Sequence, residues 1–177
     1  ILTGNQDGSM VIGTNDRSYV SQGIQTDLGW TSEFIGLNHT FDIGLRLHQD
    51  YILRNHFEQD YQMTSGILGS PSAAVFTTVD EEKSDTLSLY IQDSITLDAL
   101  TVTLGLRSEN IQSTYQDRSV GQEDNWLEKD FSIFIPSVSA FYQLSDDYGV
   151  FAGVHQGFVP NSPKQADNEI DVEKSIS

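Results

Sequence analysis

Between Asn38 and Arg54 the chain alternates with a period of two, and this limits what it can fold into more than any other feature does. Odd positions read His39, Phe41, Ile43, Leu45, Leu47, Gln49, Tyr51 and Leu53, while even positions read Asn38, Thr40, Asp42, Gly44, Arg46, His48, Asp50, Ile52 and Arg54. Successive side chains of a β-strand point to opposite faces, so such a strand has one largely apolar and one largely polar face. An amphipathic helix would need apolar residues at i, i+3, i+4 and i+7, but here Leu45 would share a helical face with Gln49. At about 3.3 Å per residue, Phe41 to Tyr51 covers about 33 Å, and a tilt of about 40° projects that to about 25 Å, the height of the apolar band of a membrane-spanning strand.

The pattern recurs. Val20, Ile24, Leu28 and Trp30 alternate with Ser21, Gly23, Gln25, Asp27 and Gly29, and Leu87, Leu89, Ile91, Ile95 and Leu97 oppose Thr86, Ser88, Tyr90, Gln92, Ser94 and Thr96. Leu100 to Leu106, Val138 to Leu144 and Tyr148 to Phe158 repeat it, which predicts six strands. Short connections are expected at Thr31 to Leu37, Leu97 to Leu100 and Ser145 to Asp147, and long polar ones at Asn55 to Glu82, Ile111 to Asp130 and Val159 to Lys174. Long loops on one side and short, periplasmic turns on the other mark an outer-membrane barrel. The fold class expected is therefore all-β, an antiparallel up-and-down transmembrane β-barrel, with about six strands of a larger one.

Composition removes other classes. The 177 residues carry 26 acidic against 9 basic side chains, a net charge of −17, which argues against nucleic acid because phosphate binding needs clustered cations. There is no cysteine, hence no disulfide and no thiolate metal site. No apolar run approaches the roughly 18 to 20 residues of a membrane helix, and Ile1 to Asn5 does not read as a secretory leader. Most acidic residues are expected in solvated loops: Glu58, Asp60, Asp80, Glu81 and Glu82 in one, Asp117, Glu123, Asp124, Glu128 and Asp130 in the next, and Asp167, Glu169, Asp171 and Glu173 in the last. That last run lacks the glycine and closing glutamate of an EF-hand, and the four histidines (His39, His48, His56, His155) lack ligand-set spacing. No nucleophile–base order or phosphate-cradling loop is visible, so the reading is not an enzyme and needs no cofactor.

The ordered segments carry a resemblance. Asn15 to Gln25, Gly44 to Asp50 followed by Arg54, Tyr90 to Asp93 leading to Gly105 to Asn110, Pro136 to Leu144 and Val150 to Pro160 resemble the barrel of TonB-dependent outer-membrane receptors, nearest to the ferric-citrate-type branch. Glu173-Lys174-Ser175 is similar to the start of the following strand. The resemblance implies a plugged barrel of about 22 strands in the bacterial outer membrane. It also implies uptake of an iron complex, ferric citrate or a ferric siderophore, with energy delivered through TonB. The iron complex is then cargo, the partners are TonB through an N-terminal plug and outer-membrane lipid or lipopolysaccharide, and residues 1–177 are a fragment of the barrel domain without that plug. Six strands alone would leave open edges that lipid cannot hydrogen-bond.

Five residues stand out as ligand-binding candidates. Arg46, Arg54 and Arg107 fall on the lumen side of the alternation, and Arg54 and Arg17 near the outer rim, where guanidinium groups could grip a carboxylate-bearing iron complex. The plainer reading pairs lumen arginines with wall or plug carboxylates such as Asp27, Asp42 or Glu109. Trp126, placed in an acidic loop, could stack on an aromatic ligand or pin the loop. The long loops are expected to close over bound ligand. Two rivals remain: a barrel for another ligand (vitamin B12, an oligosaccharide) or a passive porin, and a soluble secreted β-sandwich binding module that buries the leucine-rich faces in a protein core.

Overall fold

A computed structural model describes residues 6–122, 125–160, 162 and 173–176. These form nine strands and no helix: β1 (Gly8–Gly13), β2 (Arg17–Phe34), β3 (Leu37–Thr64), β4 (Ile67–Pro71), β5 (Val75–Leu97), β6 (Leu100–Asp117), β7 (Trp126–Gln143), β8 (Gly149–Val159) and β9 (Glu173–Ile176). The sheet order is β1-β3-β5-β6-β7-β8-β9, with β2 and β4 also paired to β3. The six expected strands correspond to β2, β3, β5, β6, β7 and β8, and β9 begins where the resemblance put it. The chain divides into two compact units, Ile1–Val20 with Asp50–Lys83 and Thr114–Leu127, and Ser21–Gln49 with Ser84–Ser113 and Glu128–Ser177.

In the first unit β1 pairs antiparallel with β3 from Gly8↔Met63 to Gly13↔Glu58. β3 turns back into β4 with Thr64 opposite Ile67 and a register shift between Tyr61 and Met63. The turn residues Ser65 and Gly66 have φ of 50° and 78°, the positive pair of a type I′ hairpin, whose twist matches that of the strands it joins. Backbone bonds from Thr14 N to the Phe57 oxygen (2.8 Å) and from Asn55 N to the Asp16 oxygen (3.0 Å) carry the pairing past the end of β1.

The second unit holds the tight turns. Ile35 and Gly36 have φ of 54° and 75°, Asp98 has φ of 49°, and Leu144 N donates to the Tyr148 oxygen at 2.9 Å. β7 and β8 pair from Ser137↔His155 to Gln143↔Gly149. Near the first of these turns Trp30 stacks on Phe41 (centroids 5.2 Å apart), His39 stacks on Phe41 (5.5 Å), and His39 Nδ1 donates to Asp93 at 2.9 Å. Such a cluster of rings with a paired polar tip suits a membrane–water boundary.

Exposure settles which face is which. The aliphatic residues of the alternating runs are open, with Leu87 at 41 % and Leu89 at 47 %, while Ser88 between them is buried at 3 %. The buried set among the described residues is as polar as it is apolar: Met63, Ile111, Tyr115 and Ile133 beside His39, Asp80, Ser88 and Glu109. In water an open row of leucines would forfeit about 25 cal/mol per Å² of apolar surface, whereas against acyl chains that penalty disappears. The β-sandwich rival needs those aliphatic groups in a shared core, and they are not in one.

The long-loop expectation is overturned for two of its three stretches, while the third, Val159 to Lys174, lies largely outside the described residues. Most of Asn55–Glu82 is strand, as the end of β3, all of β4 and the start of β5, and most of Ile111–Asp130 is the end of β6 and the start of β7, leaving a connection of 118–125. Glu58, Asp60, Asp80, Glu81, Glu82, Asp117, Glu128 and Asp130 accordingly lie on strands rather than in loops. The reason is that alternation marks a strand only when its two faces see different media. In these segments polar residues break up the apolar face, as Asn55 and Gln59 do between Leu53, Phe57 and Tyr61, so the contrast weakens while the backbone pairing continues. A lid built from Asn55–Glu82 loses its basis, since a paired hairpin occupies that stretch. Glu123, Asp124, Asp167, Glu169 and Asp171 lie outside the described residues, as does the side chain of Glu173.

Candidate functional site

The face opposite the aliphatic rows carries Arg17, Arg46, Arg54 and Arg107, and each compact unit holds its own network. In the first unit Arg54 reaches across to β5, with Nη1 donating to Asp80 at 3.0 Å and Nη2 to Glu82 at 3.2 Å. Asp80 is 1 % exposed and also accepts from the Tyr115 hydroxyl at 3.3 Å. A forked guanidinium suits two carboxylates two residues apart on one strand face, where an ammonium could not bridge both. Arg17, at the start of β2, is held differently, with Nε donating to His56 Nε2 at 3.3 Å and Nη1 to the Tyr19 hydroxyl at 3.4 Å.

In the second unit Arg107 forms a short ion pair with Glu109, whose other oxygen accepts from Ser88 at 2.5 Å. Glu109 is buried, and Arg107 is open along part of its length. Arg46 donates from Nη2 to His48 Nδ1 at 3.3 Å, and His48 Nε2 lies 3.4 Å from Ser21 Oγ. His48 thus offers Arg46 a ring nitrogen where Arg54 meets carboxylates. Asp27 accepts from the Tyr90 hydroxyl in a short bond and from Gln25 at 3.1 Å. Gly44 makes this possible: a Cβ there would collide with the Tyr90 ring and an Asp27 oxygen.

Of the five expected residues, Arg54 and Arg107 are thus clamped by carboxylates, Arg17 and Arg46 are held by imidazole and phenol groups, and Trp126 opens β7 half-exposed instead of sitting in a loop. Among the carboxylates named as partners, Glu109 does pair with Arg107, while Asp27 is taken by Tyr90 and Gln25. Asp80 and Glu82 were assigned to a solvated loop, so their pairing with Arg54, and the part of Tyr115 in it, escaped the sequence reading. The signal that could have found them was the Ser65-Gly66 pair between apolar residues, which marks a hairpin and brings the following segment back alongside β3.

An all-strand sheet with an aliphatic face turned outward and a charged face opposite it defines a β-barrel wall of the outer membrane. The chain belongs to the TonB-dependent receptor family: the family model described as "TonB dependent receptor-like, beta-barrel" matches residues 2–169. Among solved structures it is similar to the ferric citrate transporter FecA in the unliganded form, with a TM-score of 0.74 and 20 % identity over 93 % of this chain. The likeness shows a shared fold, and the chain spans 25 % of the length of that structure. No curated protein matches it in sequence. Family and fold are those of outer-membrane receptors and transporters.

Proposed function

We propose that the chain forms part of the wall of a receptor that takes up an iron complex, ferric citrate or a ferric siderophore, with energy delivered through TonB. The observation that carries the reading is the polar face, where arginines stand on membrane-length strands with their charge held in two distinct ways. Arg54 and Arg107 are neutralised by carboxylates and brace the wall. Arg17 and Arg46 are held by imidazole and phenol groups and keep a full positive charge for an anionic cargo. Trp126, half-exposed, offers a ring to an aromatic siderophore. The solved structure with this fold is that of a ferric citrate transporter, which agrees with an iron complex as cargo.

The test is uptake of radiolabelled ferric citrate, a ferric catecholate, vitamin B12 and an oligosaccharide by cells making the full-length protein under iron starvation. Energy-dependent uptake of one of the iron complexes, weakened about tenfold at limiting concentration by Arg46→Gln, is the expected result. Uptake of vitamin B12 or the oligosaccharide alone would overturn the iron assignment.

A further inference from the structure

A cleft of about 830 Å³ lies within the second unit, on the face of the sheet opposite the arginine side chains. Its lining has a regular form, three consecutive residues from each of five strands: 22–24, 47–49, 85–87, 110–112 and 130–132. In a strand the outer two of three residues share a face and the central one points away, so the outer positions supply the walls and the central positions the floor. Gln22 Nε2 donates to Gln49 Oε1 at 2.9 Å, and Gln49 Nε2 donates to Asp85 at 2.7 Å, which fixes these three on one face as a hydrogen-bonded row. Ile24, Leu47 and Leu87, two positions along each strand, are exposed on the same face. That is the face turned to lipid. The groove therefore runs across the strands between a ridge of Ile24, Leu47 and Leu87 that ends in Asn110 and Ser132, and an amide–carboxylate ridge to which β6 and β7 add Gln112 and Asp130.

Its level follows from the strand. From the ring cluster at Phe41 to Gln49 is about 26 Å along β3, or about 20 Å after tilt, which sets the polar row near the far edge of the apolar band. The tight turn at Ile35-Gly36 lies on the ring-cluster side, the periplasmic side of such a barrel, so the groove faces the outer leaflet. The lining contains Asp85 and Asp130 and no lysine or arginine, which disfavours an anionic phosphate and favours neutral hydroxyl donors.

We propose that this groove seats a sugar headgroup of an outer-leaflet glycolipid, with hydroxyls donating to the Gln22–Gln49–Asp85 row and acyl chains lying on Ile24, Leu47 and Leu87. The site stands on the lipid-facing side and does not depend on which cargo the receptor carries. The test is native mass spectrometry of the full-length protein in detergent with a diglucosamine glycolipid stripped of its phosphates, and in parallel with its phosphorylated form. The stripped glycolipid is expected to bind, and the double variant Gln49→Leu, Asp85→Leu to bind it about tenfold more weakly, with the strand signal in circular dichroism unchanged. Should the double variant fail to fold, Gln22→Leu alone is expected to weaken binding about threefold. Equal binding by the folded variants, or binding of the phosphorylated form only, would overturn the proposal.

Discussion

Arg54 and Arg46 stand on the same strand and the same side of its alternation, and their surroundings could hardly differ more. Arg54 sits between two carboxylates, one of them almost wholly buried. Arg46 has an imidazole for a neighbour, and the nearby carboxylate of Asp27 is engaged by Tyr90 and Gln25. A buried guanidinium with its counter-charges in place is a structural brace whose loss leaves uncompensated charge behind. A guanidinium facing neutral groups contributes little to stability and keeps its charge for something that arrives. The same division separates Arg107 from Arg17.

The largest effect is expected where the brace is cut. Asp80→Asn leaves Arg54 half-neutralised beside Glu82 and should lower the unfolding free energy of the full-length protein by about 3 kcal/mol, read from urea titrations in lipid vesicles. A change below about 0.5 kcal/mol would erase the distinction between the two arginines. Glu109→Gln attacks the corresponding pair around Arg107. Because the Arg107 side chain is 44 % exposed and water can take over part of the carboxylate's role, the expected cost is smaller, about 1 kcal/mol in the same titration.

The neutral-held arginines should respond the other way round. Arg46→Gln and Arg17→Gln are each expected to leave stability within about 0.5 kcal/mol while weakening binding of the anionic iron complex about tenfold, measured by calorimetry on the purified protein. Variants that unfold the protein without touching affinity would place Arg46 and Arg17 with the braces and remove them as cargo contacts.

These pairings mark where sequence alone stops. The alternation through Phe41 to Leu47 and Leu87 to Ile91 was legible because lipid and a polar face impose opposite demands on neighbouring residues, and it assigned Arg46, Arg54 and Arg107 to the polar face. It failed from Asn55 to Glu82, where polar residues break up the apolar face, so β4, the end of β3 and the start of β5 read as a loop. The failure hid the site as well as the fold. Arg54's partners lie 26 and 28 residues away in that stretch, and only the Ser65-Gly66 turn brings them alongside. Trp126 was misplaced for a similar reason, since Glu128, Lys129 and Asp130, which follow it at the start of β7, put charge on both faces.

The finest test turns one class of arginine into the other. Gly44 leaves room for the Tyr90 ring beside Asp27, and the phenol occupies a carboxylate oxygen that would otherwise face the same surface as Arg46. Tyr90→Phe keeps the ring and removes the donor, so Asp27 is left with Gln25 and is free to turn toward Arg46, two positions beyond Gly44. The neutral-held arginine then acquires a counter-charge without any change at its own position. Affinity for the iron complex should fall about twofold to threefold, the size expected when an exposed ion pair competes with a ligand for one guanidinium. Adding Asp27→Asn to Tyr90→Phe should restore it, because the competing charge is gone. A loss that persists in the double variant would mean that Tyr90 touches the cargo itself, and the holding of Asp27 would no longer explain why Arg46 stays available.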